Sequence, residues 1–194
     1  MQLTLVTPPA VPLLSVDEAK AHLRIEHDVD DDYIESLIET ATARIDGRDG
    51  WLRRALVNQV WKLELPWFPV ARCIALPMPP LQLVSSIKYF DHNDAEQTLS
   101  ADTYEVVKTT DEGYVYLKTG ESWPATWERQ GAVAIEFTAG YGETADKVPA
   151  NIRHAVKIEI AGLYGADRGD EGKEVKPSPA IRRLLGPHKR VLIR

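Results

Sequence analysis

Residues 58–65 read NQVWKLEL, and the period of this stretch is two. Gln59, Trp61, Leu63 and Leu65 fall on one face of an extended chain, with Val60, Lys62 and Glu64 on the other. From about residue 56 to residue 138 short strands of this kind recur in RCIAL (72–76), LVSSIKYF (83–90), TYEVVK (103–108), YVYLK (114–118) and GAVAIEFTAGY (131–141). Turns such as DHND and TTDEG divide them. Five or six short strands without a long helix between them predict an antiparallel sheet or a small barrel.

On both sides of this region the period is helical. Upstream, LSVDEAKAHL (14–23) places Ser15 and Glu18 as a capping box, with Val16, Ala19 and Leu23 as the apolar face. A second helix starts near Asp32, since Ile34, Leu37, Ile38, Ala41 and Ile45 recur at three- and four-residue steps, and DGRDG (46–50) ends it. Downstream, Pro149 opens a helix carrying Ile152, Ala155, Val156, Ile160, Leu163 and Tyr164. A polar, glycine-rich break, GADRGDEGKEVKPS (165–178), precedes a short helix, SPAIRRLLG, with Ser178 as cap, Pro179 first in the helix, and Gly186 then Pro187 as the stop. The expected fold class is α+β: a small helical bundle with an inserted antiparallel β subdomain between the second and third helices. The expected parts are an N-terminal helical part (1–50), a β insertion (51–145), and C-terminal helices with a basic tail (146–194), in one compact domain.

The acidic run HDVDDDYIESLIE (27–39) raises the question of a metal. Asp28, Asp30, Asp32, Ser36 and Glu39 stand at positions 1, 3, 5, 9 and 12 of a calcium loop. Position 6 of such a loop turns sharply and needs glycine; here it is Tyr33, for which positive φ is costly. Helix capping accounts for more of the residues: Asp32 caps, Glu35 follows three positions on, and the remaining acids favour the positive end of the helix.

Chemistry is otherwise sparse. The five histidines, His22, His27, His92, His154 and His188, show no ligand spacing on one helix face, and Cys73 is the single cysteine, which fits a reducing cytoplasm. There is no nucleophile elbow, phosphate loop or dinucleotide fingerprint, and the carboxylate pairs fall in solvated segments. No residue is assigned a catalytic, metal-binding or cofactor-binding role, and no stretch has the length and polarity of a signal peptide or membrane span. Net charge is −6, unevenly distributed. Residues 176–194 hold six basic groups and no acid, which leaves −12 on residues 1–175. Arg182, Arg183, Lys189, Arg190 and Arg194 are therefore candidate contacts to an acidic surface, such as a neighbouring copy. Trp123 and Trp127, in SWPATWE, are candidates for a lid over the sheet or for a subunit contact. Deleting residues 187–194, which follow the last helix stop, is expected to leave a folded monomer and to weaken assembly with a neighbouring copy.

The order of these segments resembles the head-tail connector (adaptor) family of tailed bacteriophages and prophages. The likeness runs through LSVDEAKAHLRI, YIESLIETATARID, RRALVNQVWKLEL, IALPMPPLQLVSSIKYFD, YEVV, WPATW, AVAIEFTAGYG and VPANIRHAVKIEIAGLY, over roughly residues 12 to 165. One departure is DGRDGWLRRAL, where the family more usually has a threonine-glycine-arginine turn. The resemblance implies a structural protein without catalysis. It implies a ring of about twelve copies beneath the portal protein of the DNA-filled head, enclosing DNA without reading its sequence, on which further neck or tail proteins assemble. Its place would be the virion neck, after synthesis in the host cytoplasm. A tail-completion protein and, further off, a metal-dependent hydrolase using the 27–39 acids are the rival readings. Calorimetric titration with calcium is expected to give no saturable heat, and a stoichiometric site involving Asp28 and Glu39 would overturn the capping account of this run.

Overall fold

The computed structural model describes residues 1–166 and 178–189. Two compact units divide the chain: residues 1–10 with 58–141, and residues 11–57 with the chain from 142 onward.

The first unit is all β. Its strands are β1 (Gln2–Thr7), β2 (Gln59–Leu65), β3 (Cys73–Leu76), β4 (Leu81–Phe90), β5 (Glu96–Thr98), β6 (Tyr104–Lys108), β7 (Gly113–Leu117) and β8 (Val133–Ala139). A five-stranded sheet runs β1-β2-β8-β4-β5 and a three-stranded sheet runs β3-β7-β6, with every named pairing antiparallel. At the centre, β2 and β8 pair without a slip from Gln59↔Ala139 to Leu65↔Val133. The alternation in β2 is realised: Gln59, Trp61 and Leu63 are buried, and the intervening residues are half-exposed. β8 alternates in phase, burying Val133, Ile135, Phe137 and Ala139. Full burial of each large apolar side chain is worth about 1.5–3 kcal/mol, so this face contributes substantially to the stability of the unit.

Two strands lie outside the sequence expectation. β1 occupies residues assigned to the N-terminal helical part, and it pairs with β2 through Gln2↔Glu64 to Thr7↔Val60. Only Leu3 and Leu5 mark its alternation, and a terminal strand has no preceding turn to announce it. β5 has three residues, all exposed, too few for any period to register. The boundary also moves at the other end, because residues 51–57 belong with the helices.

The second unit holds α1 (Val16–Leu23), α2 (Asp31–Ala43), α3 (Ala150–Ala166) and α4 (Pro179–Leu185). The capping box on α1 is formed in both directions: Glu18 N–H donates to Ser15 Oγ at 3.1 Å, and Ser15 N–H donates to the Glu18 carboxylate at 3.3 Å. α3 packs against α1, α2 and α4, burying Ile152, Ala155, Val156 and Ile160. α2 answers with Ile34, Leu37, Ile38 and Ala41. The expected capping box at Asp32 and Glu35 is absent. α2 begins at Asp31 behind Asp30, whose side chain makes no cap bond. The Asp30 carboxylate instead accepts from Tyr164 Oη at 2.8 Å, so a tertiary partner outcompetes the local one.

After α2 the DGRDG segment doubles back, with Trp51 N–H on Arg44 O, Leu52 N–H on Ile45 O and Gly47 N–H on Arg54 O. At Gly50 a Cβ would overlap the Asp46 carbonyl oxygen and stand 2.5 Å from that of Ile45. Both are backbone atoms and cannot swing aside. Gly50→Ala is therefore expected to destabilise the protein by about 1–3 kcal/mol, as overpacking does elsewhere, and to lower the melting temperature; an unchanged melt would contradict this packing.

Candidate functional site

Among the described residues no group of three or more His, Cys, Asp or Glu is placed to hold a metal ion. Three acids of the 27–39 run, Asp28, Asp30 and Asp31, are engaged by protein groups. Lys20 Nζ lies 2.5 Å from Asp28 Oδ1 and 2.8 Å from Asp31 Oδ1, bridging the loop between α1 and α2. The hydrogen bond to Asp28, then the one to Asp31, raises the Lys20 pKa, and Lys20 in turn lowers that of Asp28. Nothing in the sequence of α1 marks Lys20 for this role. With Ala19 it is one of the two buried residues of α1, and it is 8% exposed.

In the β unit the residues 66–72 and 117–129 build one braced aromatic surface. Phe68 stacks on Trp123 at 4.9 Å with an interplanar angle of 3°, and meets Tyr89 edge-on at 5.7 Å. Trp123 Nε1 donates to Ala71 O at 2.9 Å. The Arg72 guanidinium donates to the carbonyls of Lys118 at 2.6 Å, Glu121 at 3.1 Å and Leu117 at 3.3 Å. Trp123 is thus half-buried and structural in its contacts, whereas Trp127 is 48% exposed beside Phe90, whose ring carries Arg129 at 4.2 Å. Trp67 and Val70, in the same 66–72 stretch, are exposed at 60% and 104%.

The basic candidates divide. Arg182 and Arg183 are exposed on α4, which buries Ile181 and Leu185. Lys189 places its ammonium 4.6 Å from the centroid of the Trp51 ring. Arg190 and Arg194 lie outside the described residues. Beneath α4 is a hollow of about 180 Å³, lined by Ile45, Trp51, Ile181 and Leu185, with Arg44, Glu159 and Arg182 around it. Arg44 and Glu159 form an ion pair there.

Of the residues past Pro187, His188 and Lys189 are described, and His188 is tied to the fold: its carbonyl accepts from Nε of Arg54, a guanidinium only 2% exposed, which bears against a deletion of 187–194 leaving the fold intact. A cut before His188 would remove that acceptor from a buried charge, which is strongly destabilising in general. The dipeptide Arg53-Arg54 in an apolar context was the available signal, since a buried arginine requires an acceptor.

A family model described as phage gp6-like head-tail connector protein matches residues 14–176. The chain belongs to that family. No curated protein matches the connector. Solved structures share its fold, each match covering 100% of this chain and 98% of the other. They come from the virion of a native gene transfer agent (GTA) particle, at 24% identity and a TM-score of 0.82; the neck of an empty GTA particle computed with C6 symmetry, at 24% and 0.81; and the neck of a native GTA particle computed with C12 symmetry, at 21% and 0.73.

His188 also makes the end of the connector's α4 region sensitive to pH. Asn151 Nδ2 lies 2.7 Å from His188 Nε2 and 3.2 Å from Leu184 O, which suits a neutral imidazole accepting at Nε2. Burial, then the charge of Arg54, lowers the His188 pKa. A depressed value in the fold means stability that is present above the unfolded histidine value, about 6.5, and is lost as pH falls through the folded one. Melting temperature should therefore fall on acidification from about pH 7 to about pH 5, and His188→Gln should remove part of that slope. Equal slopes in the two proteins would exclude His188 as a source.

Proposed function

We propose that this connector is a non-catalytic building block of the virion neck, forming a ring of about twelve copies beneath the portal, through which DNA passes and on which further neck or tail proteins assemble. The observation that carries this reading is the family match over residues 14–176, together with a fold shared along the whole chain with neck components of another particle. The rotational symmetries named for those necks favour a closed ring, built from head-to-tail contacts rather than from a two-fold patch.

Charge supports the passage of DNA without sequence recognition. Residues 1–175 carry −12, which repels phosphate and prevents sticking to a polyanion. The candidate contacts to portal or neighbour are Arg182, Arg183 and Lys189 on the helical unit, Arg190 and Arg194 beyond the described residues, and Trp123 with Trp127 on the β unit. The expected result of electron microscopy on assembled particles, and on purified connector mixed with portal, is a rotationally symmetric ring at the portal's outer end. A stable two-fold dimer in both solution and particle, or a particle neck without this chain, would overturn the proposal.

A further inference from the structure

α2 has unlike ends. At its amino end the loop 24–30 is held by Lys20 between Asp28 and Asp31, by Tyr164 on Asp30, and by Asp31 N–H on Asp28 O. This braced loop turns Val29 outward, 89% exposed. A lone exposed valine is ordinary. Here it stands at the head of an acidic stripe, since Asp32, Glu35 and Glu39 follow at three- and four-residue steps on the face opposite Ile34, Leu37, Ile38 and Ala41. All three are exposed, and none forms an ion pair among the described residues.

At the carboxyl end of α2 the pattern is inverted. Ile45, with Trp51, Ile181 and Leu185, lines the apolar hollow, and the surrounding charge is basic: Arg44, Arg182 and Lys189, with Arg183 beside them. Glu159 neutralises Arg44, but Arg182 and Arg183 are exposed and have no acidic partner among the described residues.

We propose that the apolar tip and acidic stripe of one copy dock into the basic-rimmed hollow of the next. The two surfaces cannot satisfy each other within a chain, because the 13 residues of α2 separate them by about 20 Å at 1.5 Å per residue. A second copy is the occupant that carries both halves. An apolar centre inside a charged rim is the ordinary anatomy of an interface, and opposite rims fix its orientation. Because the two halves differ, the contact is head-to-tail, and it propagates until rotation closes it. This assignment rests on the ring reading above and specifies which surfaces would close that ring.

The test is a charge swap in the full chain, read by sedimentation velocity across protein concentration at low salt. Asp32→Lys with Glu35→Lys, and separately Arg182→Glu with Arg183→Glu, should each weaken self-association at least about tenfold. The four substitutions together should restore it to within about threefold of the wild type, since the rims are again opposite. Val29→Ser, which leaves all charges in place, should weaken association by itself, and circular dichroism checks that each variant is folded. Wild-type association in either single-face variant, no recovery in the combined one, or a wild type that does not self-associate would overturn the interface. If particles still show the ring while the swap has no effect, only this interface fails. A neck without the ring sinks the connector reading itself.

Discussion

Everything in the connector hangs on the pairing of β2 with β8. Paired residues of these strands are 68 to 80 positions apart in the chain, and their seven matched pairs run in register from Gln59↔Ala139 to Leu65↔Val133. The chain leaves the helical unit at Val57 and returns at Gly142, and those two residues are themselves joined by a parallel bridge. Antiparallel pairing thus delivers the two ends of the β excursion side by side. Without it the loop-closure entropy of so long a segment would oppose bringing α3 onto α1 and α2. A one-residue slip would also turn Trp61, Leu63, Ile135 and Phe137 out of the core, which is why this register is strongly specified.

Charged groups in the helical unit contribute geometry more than stability. Arg54 and Glu159 are nearly withdrawn from water, at 2% and 8% exposure, and the desolvation of such groups offsets most of the attraction they gain. Each nonetheless has a partner from a distant part of the chain: His188 O for Arg54, Arg44 for Glu159. Likewise Glu18 receives Lys157 at 3.3 Å and Arg153 at 3.7 Å, so the acid of the α1 capping box also ties α1 to α3. Surface pairs of this kind are individually weak. Their effect is to fix where α4 and the 24–30 loop sit, and hence what the unit shows to a neighbour.

Exposed apolar features on the two units differ in construction. On the β unit, Trp67, Val70 and Trp127 stand on a loop pair stiffened by ring stacking and by one arginine serving three carbonyls. On the helical unit, a smaller tip and a hollow are framed by charge, of which Asp32, Glu35, Glu39, Arg182 and Arg183 form no ion pair among the described residues. Rigid presentation lowers the ordering cost of association, which is where a structural protein gains affinity without a large interface.

The sequence by itself determined what is local. Ser15 with Glu18, Ser178 with Pro179, the apolar faces of α2 and α3, and the alternation in β2 and β8 were all legible, because period and capping depend on neighbours within four residues. Of the candidate contacts, the exposure of Arg182 and Arg183 followed from that same helical spacing. The tertiary structure decided whatever required a distant partner. β1 exists because β2 offers it an edge; Asp30 gives up capping because Tyr164 reaches it; buried Arg54 finds an acceptor in the distant carbonyl of His188. The hollow beside Trp51 is formed by residues from three separated segments, and no pattern along a single segment encodes a space between them.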